Sequence, residues 1–270
     1  SLVTMRLFQR LRYAEQGARP AWIFMGAVAA GATIWCTHFV AMIAYEPGVD
    51  VAYEPLLTGV SLGVAIGGSA LTLWVAAQRL RFAAELGGAL FALAVTAMHY
   101  TGMLGLELPA RIVWSPGIVV ASIAFGSLLG AFALVVAARG ERLGITAAAT
   151  GLLTVAIVSH HFTAMGAVEI VPDPLQTPAA LSLSPAFLAV VIAGVALSVL
   201  GMSLVGVLAD RRLALRTRRF EDIISQLSLA RQQVEASQKE LEQQRFRLDT
   251  AINHMGEGLC MFDAAKRLVV

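Results

Sequence analysis

The sequence predicts an all-α transmembrane helical bundle made of three two-helix repeats, followed by a cytoplasmic signalling helix. Only 14% of the 270 residues are charged while 57% are hydrophobic, whereas a soluble domain carries about 25% charged residues. Residues 112–138 and 174–209 contain no charged side chain, and an apolar run of about 18 residues or more can cross a bilayer. The expected surroundings are therefore a lipid bilayer, and nucleic acid is not an expected partner.

Hydrophobic runs divide the first 210 residues into six complete membrane spans. The stretch SLVTMRLFQRLRYAE at the start reads as the remnant of a seventh span that continues into a basic flank. The predicted spans are residues 21–45, 56–77, 86–106, 117–138, 144–168 and 185–208.

Basic residues alternate between the loops and give the orientation. The loops EPGVDVAYEP, ELPARIVWSP and EIVPDPLQTPAALSLSP contain one basic residue between them, Arg111, while the other loops are rich in arginine. Arginine-rich loops stay in the cytoplasm by the positive-inside rule. This predicts a multi-pass protein of the bacterial inner membrane with its C-terminus in the cytoplasm.

One polar pattern occurs three times, as HFVAMIAYE from His38, HYTGMLGLE from His99 and HFTAMGAVE from His161. Each copy reads His, three residues, Met, three residues, Glu. The copies are 61 and 62 residues apart, which indicates an internal repeat of a two-helix unit. The three helices all run from inside to outside, so the histidines are expected at equal depth near the periplasmic face.

This spacing favours a metal site. Positions i, i+4 and i+8 share one face of a helix, and polar side chains in membrane helices face the bundle interior. Imidazole and thioether together suit copper, because thioethers select Cu(I). Each glutamate could attract a cation or be only a solvated group, so the part played by Glu46, Glu107 and Glu169 stays open. The predicted copper ligands are His38, Met42, His99, Met103, His161 and Met165.

Three further residues lie next to the motif histidines in the sequence. Cys36 and Met98 flank the motif histidines and are possible extra ligands. His160 precedes His161 and would point about 100° away from the motif face, so we expect a structural role for it.

Beyond residue 210 the composition changes to Arg, Gln, Glu and Lys. Apolar residues recur every seven positions, as expected for a signalling helix over residues 211–248 that pairs with a second copy; a single amphipathic linker helix is the alternative. The apolar seam consists of Phe220, Leu227, Val234, Leu241 and Leu248.

Residues 249–270 resemble the opening of a PAS domain, with an apolar strand GLCMFD after a glutamate-glycine pair.

The tetrapeptide Met98-His99-Tyr100-Thr101 carries a family resemblance. Residues 1–210 resemble a bacterial MHYT-domain sensor, although the other copies have Phe in place of Tyr100. The resemblance implies an input module that binds copper through His and Met and detects oxygen, carbon monoxide or nitric oxide, or a change in metal or redox state. It also implies a PAS domain followed by cyclic-di-GMP enzyme domains beyond residue 270, so the 270 residues themselves are expected not to be an enzyme.

Other functions fit parts of the sequence. A metal or small-solute transporter or channel also uses repeats and an intramembrane site, but it does not need the C-terminal helix. A haem-binding membrane redox protein could use histidines from two helices. The motifs could also serve only helix packing in a module that senses the lipid bilayer.

Overall fold

A computed structural model describes residues 1–14, 16–78, 80–173, 182–254 and 264–268. Seven helices follow one another in the described chain: α1 (Leu2–Tyr13), α2 (Arg19–Ile43), α3 (Pro55–Ala76), α4 (Ala83–Leu104), α5 (Pro116–Ala137), α6 (Leu143–Met165) and α7 (Pro185–His254).

The six predicted spans are confirmed. In the described part of the chain, α2 to α6 and the Pro185–Val205 part of α7 are long and apolar enough to cross a membrane. Three spans begin at a proline, Pro55, Pro116 and Pro185, because the first helical position needs no backbone N–H and suits the fixed φ of proline. The chain is a multi-pass, all-α protein of the membrane.

Two short antiparallel ladders lie at the end of the bundle where α2, α4 and α6 finish, which we call the strand-capped end. β1 (Ala52–Tyr53) pairs with β2 (Leu106–Glu107), and β3 (Ala110–Trp114) pairs with β4 (Val168–Pro172). Tyr53 also forms a bridge with Leu183, with hydrogen bonds of 3.0 and 2.8 Å in the two directions. The loop sequences did not predict these ladders, which join segments far apart in the chain.

Glycines allow close contact between neighbouring helices. A Cβ at Gly88 would lie 2.2 Å from the Cα of Ala131, and one at Gly130 would lie 2.7 Å from the carbonyl oxygen of Gly88. A Cβ at Gly68 would lie 2.4 Å from the Cβ of Ala94. Small residues let membrane helices approach until their backbones touch, so α3, α4 and α5 pack tightly through these positions.

The short helix α1 belongs to the same core. Met5, Phe8 and Leu11 are completely buried. The side-chain amide of Gln9 donates to the carbonyl of Gly140 at 2.7 Å and accepts from the hydroxyl of Thr146 at 3.1 Å. These contacts fix α1 to the turn between α5 and α6 and to the first turn of α6. Whether α1 is the end of a seventh span stays a prediction.

The chain divides into two compact units, Ser1–Leu204 and Val205–Val270. The first contains α1 to α6 and the start of α7. The second contains the rest of α7, which is continuous to His254. The predicted boundaries 1–210, 211–248 and 249–270 stay predictions. The strand GLCMFD, on which the PAS resemblance depends, lies outside the described residues.

Candidate metal centre

The three motif histidines meet in the interior of the bundle. His38 belongs to α2, His99 to α4 and His161 to α6, each roughly one and a half turns before its helix ends. All three are buried, with 1–4% of their surface exposed. The prediction that the repeated motif brings these side chains to one place is therefore confirmed.

Their ring nitrogens converge. The Nδ1 atom of His38 lies 3.2 Å from the Nδ1 of His99 and 3.2 Å from the Nδ1 of His161. One ring nitrogen from each residue lies within 4.8 Å of the other two. The three rings are close to perpendicular to one another, with interplanar angles of 78–83°.

These distances are compatible with one shared metal ion. Each Nδ1 has one hydrogen or one lone pair in the ring plane, so the Nδ1 of His38 can make one well-directed hydrogen bond but has two close neighbours. Two nitrogens bound to one metal at about 2.0–2.1 Å, with bond angles near the tetrahedral or trigonal values, lie about 3.3–3.6 Å apart. The observed 3.2 Å is close to that spacing.

Space for the histidine rings depends on a glycine of the second motif copy. A Cβ at Gly102 would lie 2.7 Å from the Nε2 of His38 and 3.3 Å from the ring of Phe39. The Nε2 atoms of His38 and His99 are buried and have no hydrogen-bond partner among the described residues. Unpartnered buried polar atoms are costly in an apolar interior.

The motif methionines lie close to the same ends of their helices. Met42 and Met103 are buried, and Met165 is half-buried against the core. Their spacing from the histidines puts them one turn further along the same helix face. Their role as ligands stays a prediction.

The other candidates lie outside the three-histidine cluster. Glu46 and Glu169 are exposed, and the carboxylate of Glu107 accepts a hydrogen bond from Ser182. Cys36 is half-buried, with its Sγ atom 3.9 Å from the carbonyl oxygen of Ile192. Among the described residues, no carboxylate or thiol joins the three imidazoles in one ligand group.

A fourth buried imidazole adjoins the cluster. His160 is completely buried, and its ring centre is 5.9 Å from that of His99. Its Nδ1 lies 3.0 Å from the carbonyl oxygen of Ser122 in α5. This contact agrees with the structural role expected for His160, but the position beside His99 was not expected. In the sequence, only the two consecutive histidines of the third copy could have indicated that a fourth imidazole lies near the cluster.

Several curated proteins resemble the chain. An uncharacterized signaling protein of Caulobacter vibrioides is 38% identical over 64% of the chain and 22% of its own length. In Pseudomonas aeruginosa, the bifunctional diguanylate cyclase/cyclic di-GMP phosphodiesterase MucR is 33% identical over 80% of the chain and 33% of its own length. The cyclic di-GMP phosphodiesterase NbdA of the same organism is 36% identical over 60% of the chain and 22% of its own length. The chain thus spans a third or less of these relatives. No solved structure matches it.

The repeat itself identifies the family. The MHYT family, described as a bacterial signalling protein N-terminal repeat, matches residues 31–89, 93–151 and 155–218. The three matched segments contain the three motif histidines, one in each, and together they cover most of the membrane-spanning region. The chain therefore belongs to the MHYT family of membrane sensory modules in bacterial signalling proteins.

Proposed function

We propose that this module binds copper through His38, His99 and His161, with Met42, Met103 and Met165 as thioether ligands. The observation that carries the proposal is the pair of 3.2 Å separations between the Nδ1 atom of His38 and those of the other two histidines. Copper is favoured over zinc because the repeated pattern includes a thioether one turn from each imidazole.

Bound copper would supply a centre that takes a diatomic ligand such as O2, CO or NO, or that changes its redox state. The residues of the chain hold this centre and exclude water. Phe39 shields one side of His38 at a ring distance of 4.6 Å. Burial of all three imidazoles keeps the site apolar, and this favours small neutral ligands over hydrated ions.

A relay toward α7 is part of the proposal. The ring of Tyr53 lies 5.9 Å from that of Phe39, which adjoins His38. Tyr53 in turn bridges to Leu183, two residues before α7 begins. A displacement of His38 would therefore reach the start of α7 through packed side chains and two backbone hydrogen bonds. Such coupling requires that the ligand bind one arrangement more tightly than the other.

The output is proposed to lie in the rest of a longer protein. Two of the relatives are by name enzymes of cyclic di-GMP synthesis or hydrolysis, and the chain covers only 22–33% of their length. We place the site near the periplasmic face and the second half of α7 in the cytoplasm, where it would signal to a PAS domain and an enzyme domain.

The structure argues against a haem-binding protein, and the sequence argues against a transporter. Two axial imidazoles on opposite faces of a haem are about 4 Å apart, twice a metal–nitrogen bond, which is longer than the 3.2 Å measured here. A transporter would need a polar path through the bundle, but the inner halves of the motif helices are almost wholly apolar, for example WIFMGAVAAGA.

Metal content tests the proposal. The protein would be purified from copper-replete and copper-starved cells, beside a variant with alanine at His38, His99 and His161, and the bound metal measured by mass spectrometry. His254→Ala, at the end of α7, is the matched control. Near-stoichiometric copper in the replete wild type and the control, lost in the folded triple variant, is the expected result. Background copper in the replete wild type contradicts the proposal, and a Soret absorption band would favour haem instead.

A further inference from the structure

The fourth imidazole, His160, is held by a single hydrogen bond. Its Nδ1 lies 3.0 Å from the carbonyl oxygen of Ser122. A carbonyl oxygen accepts and cannot donate, so Nδ1 carries the hydrogen. In the neutral ring, Nε2 is then an unprotonated nitrogen with a free lone pair. The completely buried side chain gives this Nε2 no hydrogen-bond partner within the described part of the chain.

The neighbouring imidazole, His99, has a buried donor in place of a buried acceptor. The Nδ1 of His99 faces the Nδ1 of His38 at 3.2 Å, so a metal held by the cluster would take the lone pair of that Nδ1. The Nε2 of His99 must then carry the hydrogen of the neutral ring. This N–H is also buried, and no described residue accepts from it. One ring thus has a donor without an acceptor, and the other has an acceptor without a donor.

The two rings are close enough to interact. Their centres lie 5.9 Å apart, and their planes are at 90°. We propose that the Nε2–H of His99 donates to the Nε2 of His160 through one bridging water, so that His160 orients a copper ligand from α4 through a contact anchored on α5. The inference rests on the proposed copper site. Metal-bound histidines commonly donate their second ring N–H to an acceptor that fixes ring orientation and raises ligand basicity.

Only the third motif copy provides this group. The residue before the motif histidine is Thr37 in the first copy and Met98 in the second. The hydroxyl of Thr37 donates to the carbonyl of Thr33 in its own helix at 2.8 Å, and a thioether is a weak acceptor. The repeat is therefore not symmetric at this position, and His160 serves the histidine of a neighbouring copy.

A glycine of α5 makes room for the imidazole. A Cβ at Gly126 would lie 3.2 Å from both the Cβ and the Nδ1 of His160. Alanine at this position would push the ring by a few tenths of an ångström without removing it. Gly126→Ala is therefore a second way to disturb the contact, and Gly117→Ala in the same helix, with nothing within 4 Å of the added Cβ, is its control.

Copper affinity and the electronic state of one ligand test the role of His160. Affinity would be measured in the purified protein by competition with a chelating dye specific for Cu(I). His160→Ala should weaken binding by about 10–100-fold at unchanged stoichiometry, and His160→Gln should restore most of the loss because its carbonyl accepts a hydrogen bond. Gly126→Ala should weaken binding more than Gly117→Ala. A folded His160→Ala variant with wild-type affinity overturns the inference.

A spectroscopic measurement separates positioning from simple packing. In the Cu(II) form, electron spin-echo modulation reports the quadrupole coupling of the ring nitrogen that does not bind the metal. This coupling depends on the hydrogen bond that the nitrogen makes. His160→Ala should change this coupling for one imidazole, and Ser159→Ala, whose hydroxyl serves only its own helix, should not. An unchanged coupling in His160→Ala contradicts a positioning role.

If the wild type binds no copper, the proposed function fails and the histidine pair is tested alone. Nitrogen-15 NMR of the metal-free, histidine-labelled protein in bilayers should then show His160 with protonated Nδ1 and a hydrogen-bonded Nε2. A free lone-pair signal for that Nε2, assigned by its loss in His160→Gln, overturns the inference independently of copper.

Discussion

At the scale of single residues, Gly102 shows how one missing side chain shapes the centre. The first and third motif copies have Ala41 and Ala164 in the same register, but a Cβ at Gly102 would lie 2.7 Å from the Nε2 of His38. The second copy therefore needs glycine because the His38 ring occupies the space beside it.

We expect Gly102→Ala to lower copper affinity while the protein remains folded, because the displaced imidazole of His38 no longer keeps its 3.2 Å spacing to the other nitrogens. The measurement is dye competition in detergent, with Gly63→Ala, which has nothing within 4 Å of its added Cβ, as the control. Equal affinities in the two variants would contradict this account of the site.

Tyr53 provides a pH-dependent prediction outside the membrane spans. Its hydroxyl is buried without a partner among the described residues, and burial raises its pKa to about 12. The pKa in the unfolded chain is about 10. Stability is therefore fully present below about pH 10 and falls as the pH rises toward 12, by about 2–3 kcal/mol. Tyr53→Phe should remove this dependence, as measured by thermal unfolding at a series of alkaline pH values. Parallel curves for both proteins would refute it.

At the scale of elements, the crossing of α4 and α5 depends on backbone contact. A Cβ at Gly88 would meet the backbone of Ala131 at 2.2 Å, and the backbone cannot turn aside as a flexible side chain can. We expect Gly88→Ala to separate the helices and destabilise the fold by about 1–3 kcal/mol. Gly67→Ala in α3, with no atom within 4 Å of the new Cβ, should unfold at the wild-type temperature. Thermal unfolding in one detergent compares them, and a Gly88→Ala protein as stable as the control would show that the helices can adjust.

A second element-scale feature is a small cavity lined by residues of α1 to α6. Thr4, Ser69 and Thr72 line it, and their buried hydroxyls have no partners within the described chain. The cavity leaves about 10 Å³ for the centre of a water-sized molecule, which is close to what one water requires.

The atoms that face the cavity are apolar, and a cavity of this kind stays dry. Thr72→Val should then stabilise the protein by about 1 kcal/mol, because it removes a buried hydroxyl that has no partner among the described residues. The control is Thr154→Val, since the Thr154 hydroxyl bonds within its own helix on the exposed side. If a water instead joins the hydroxyls, Thr72→Val removes one of its partners and destabilises the protein, so the sign of the change in thermal unfolding temperature decides between the two.

At the scale of the whole molecule, the second half of α7 presents apolar side chains that are exposed in the part of the chain that the structure describes. Phe220, Leu227, Val234, Leu241 and Leu248 are each more than half exposed and follow a heptad spacing. A seam of this kind is typical of a helix that pairs with a second copy.

Cysteine cross-linking tests this homodimer. In a protein with Cys36 and Cys260 replaced by serine, Leu227→Cys should form a disulfide-linked dimer in membranes, whereas Gln232→Cys, on the opposite face of the heptad, should not. The measurement is non-reducing gel electrophoresis after mild oxidation. Cross-linking that is equal at both positions, or absent from both, contradicts pairing through the seam.

The sequence by itself determined the six spans, the three-fold repeat and the meeting of His38, His99 and His161. These features depend on local composition, on the period of a helix and on the spacing of the motif copies, all of which can be read along the chain. Only the tertiary structure decided that the Nδ1 atoms face one another, that Gly102 makes room for His38 and that His160 lies beside His99. It also decided the strand ladders at the strand-capped end. Each of these depends on the rotation and register of helices that are distant in the chain. The sequence of an apolar helix without a distinct polar face does not indicate how that helix is rotated in the bundle.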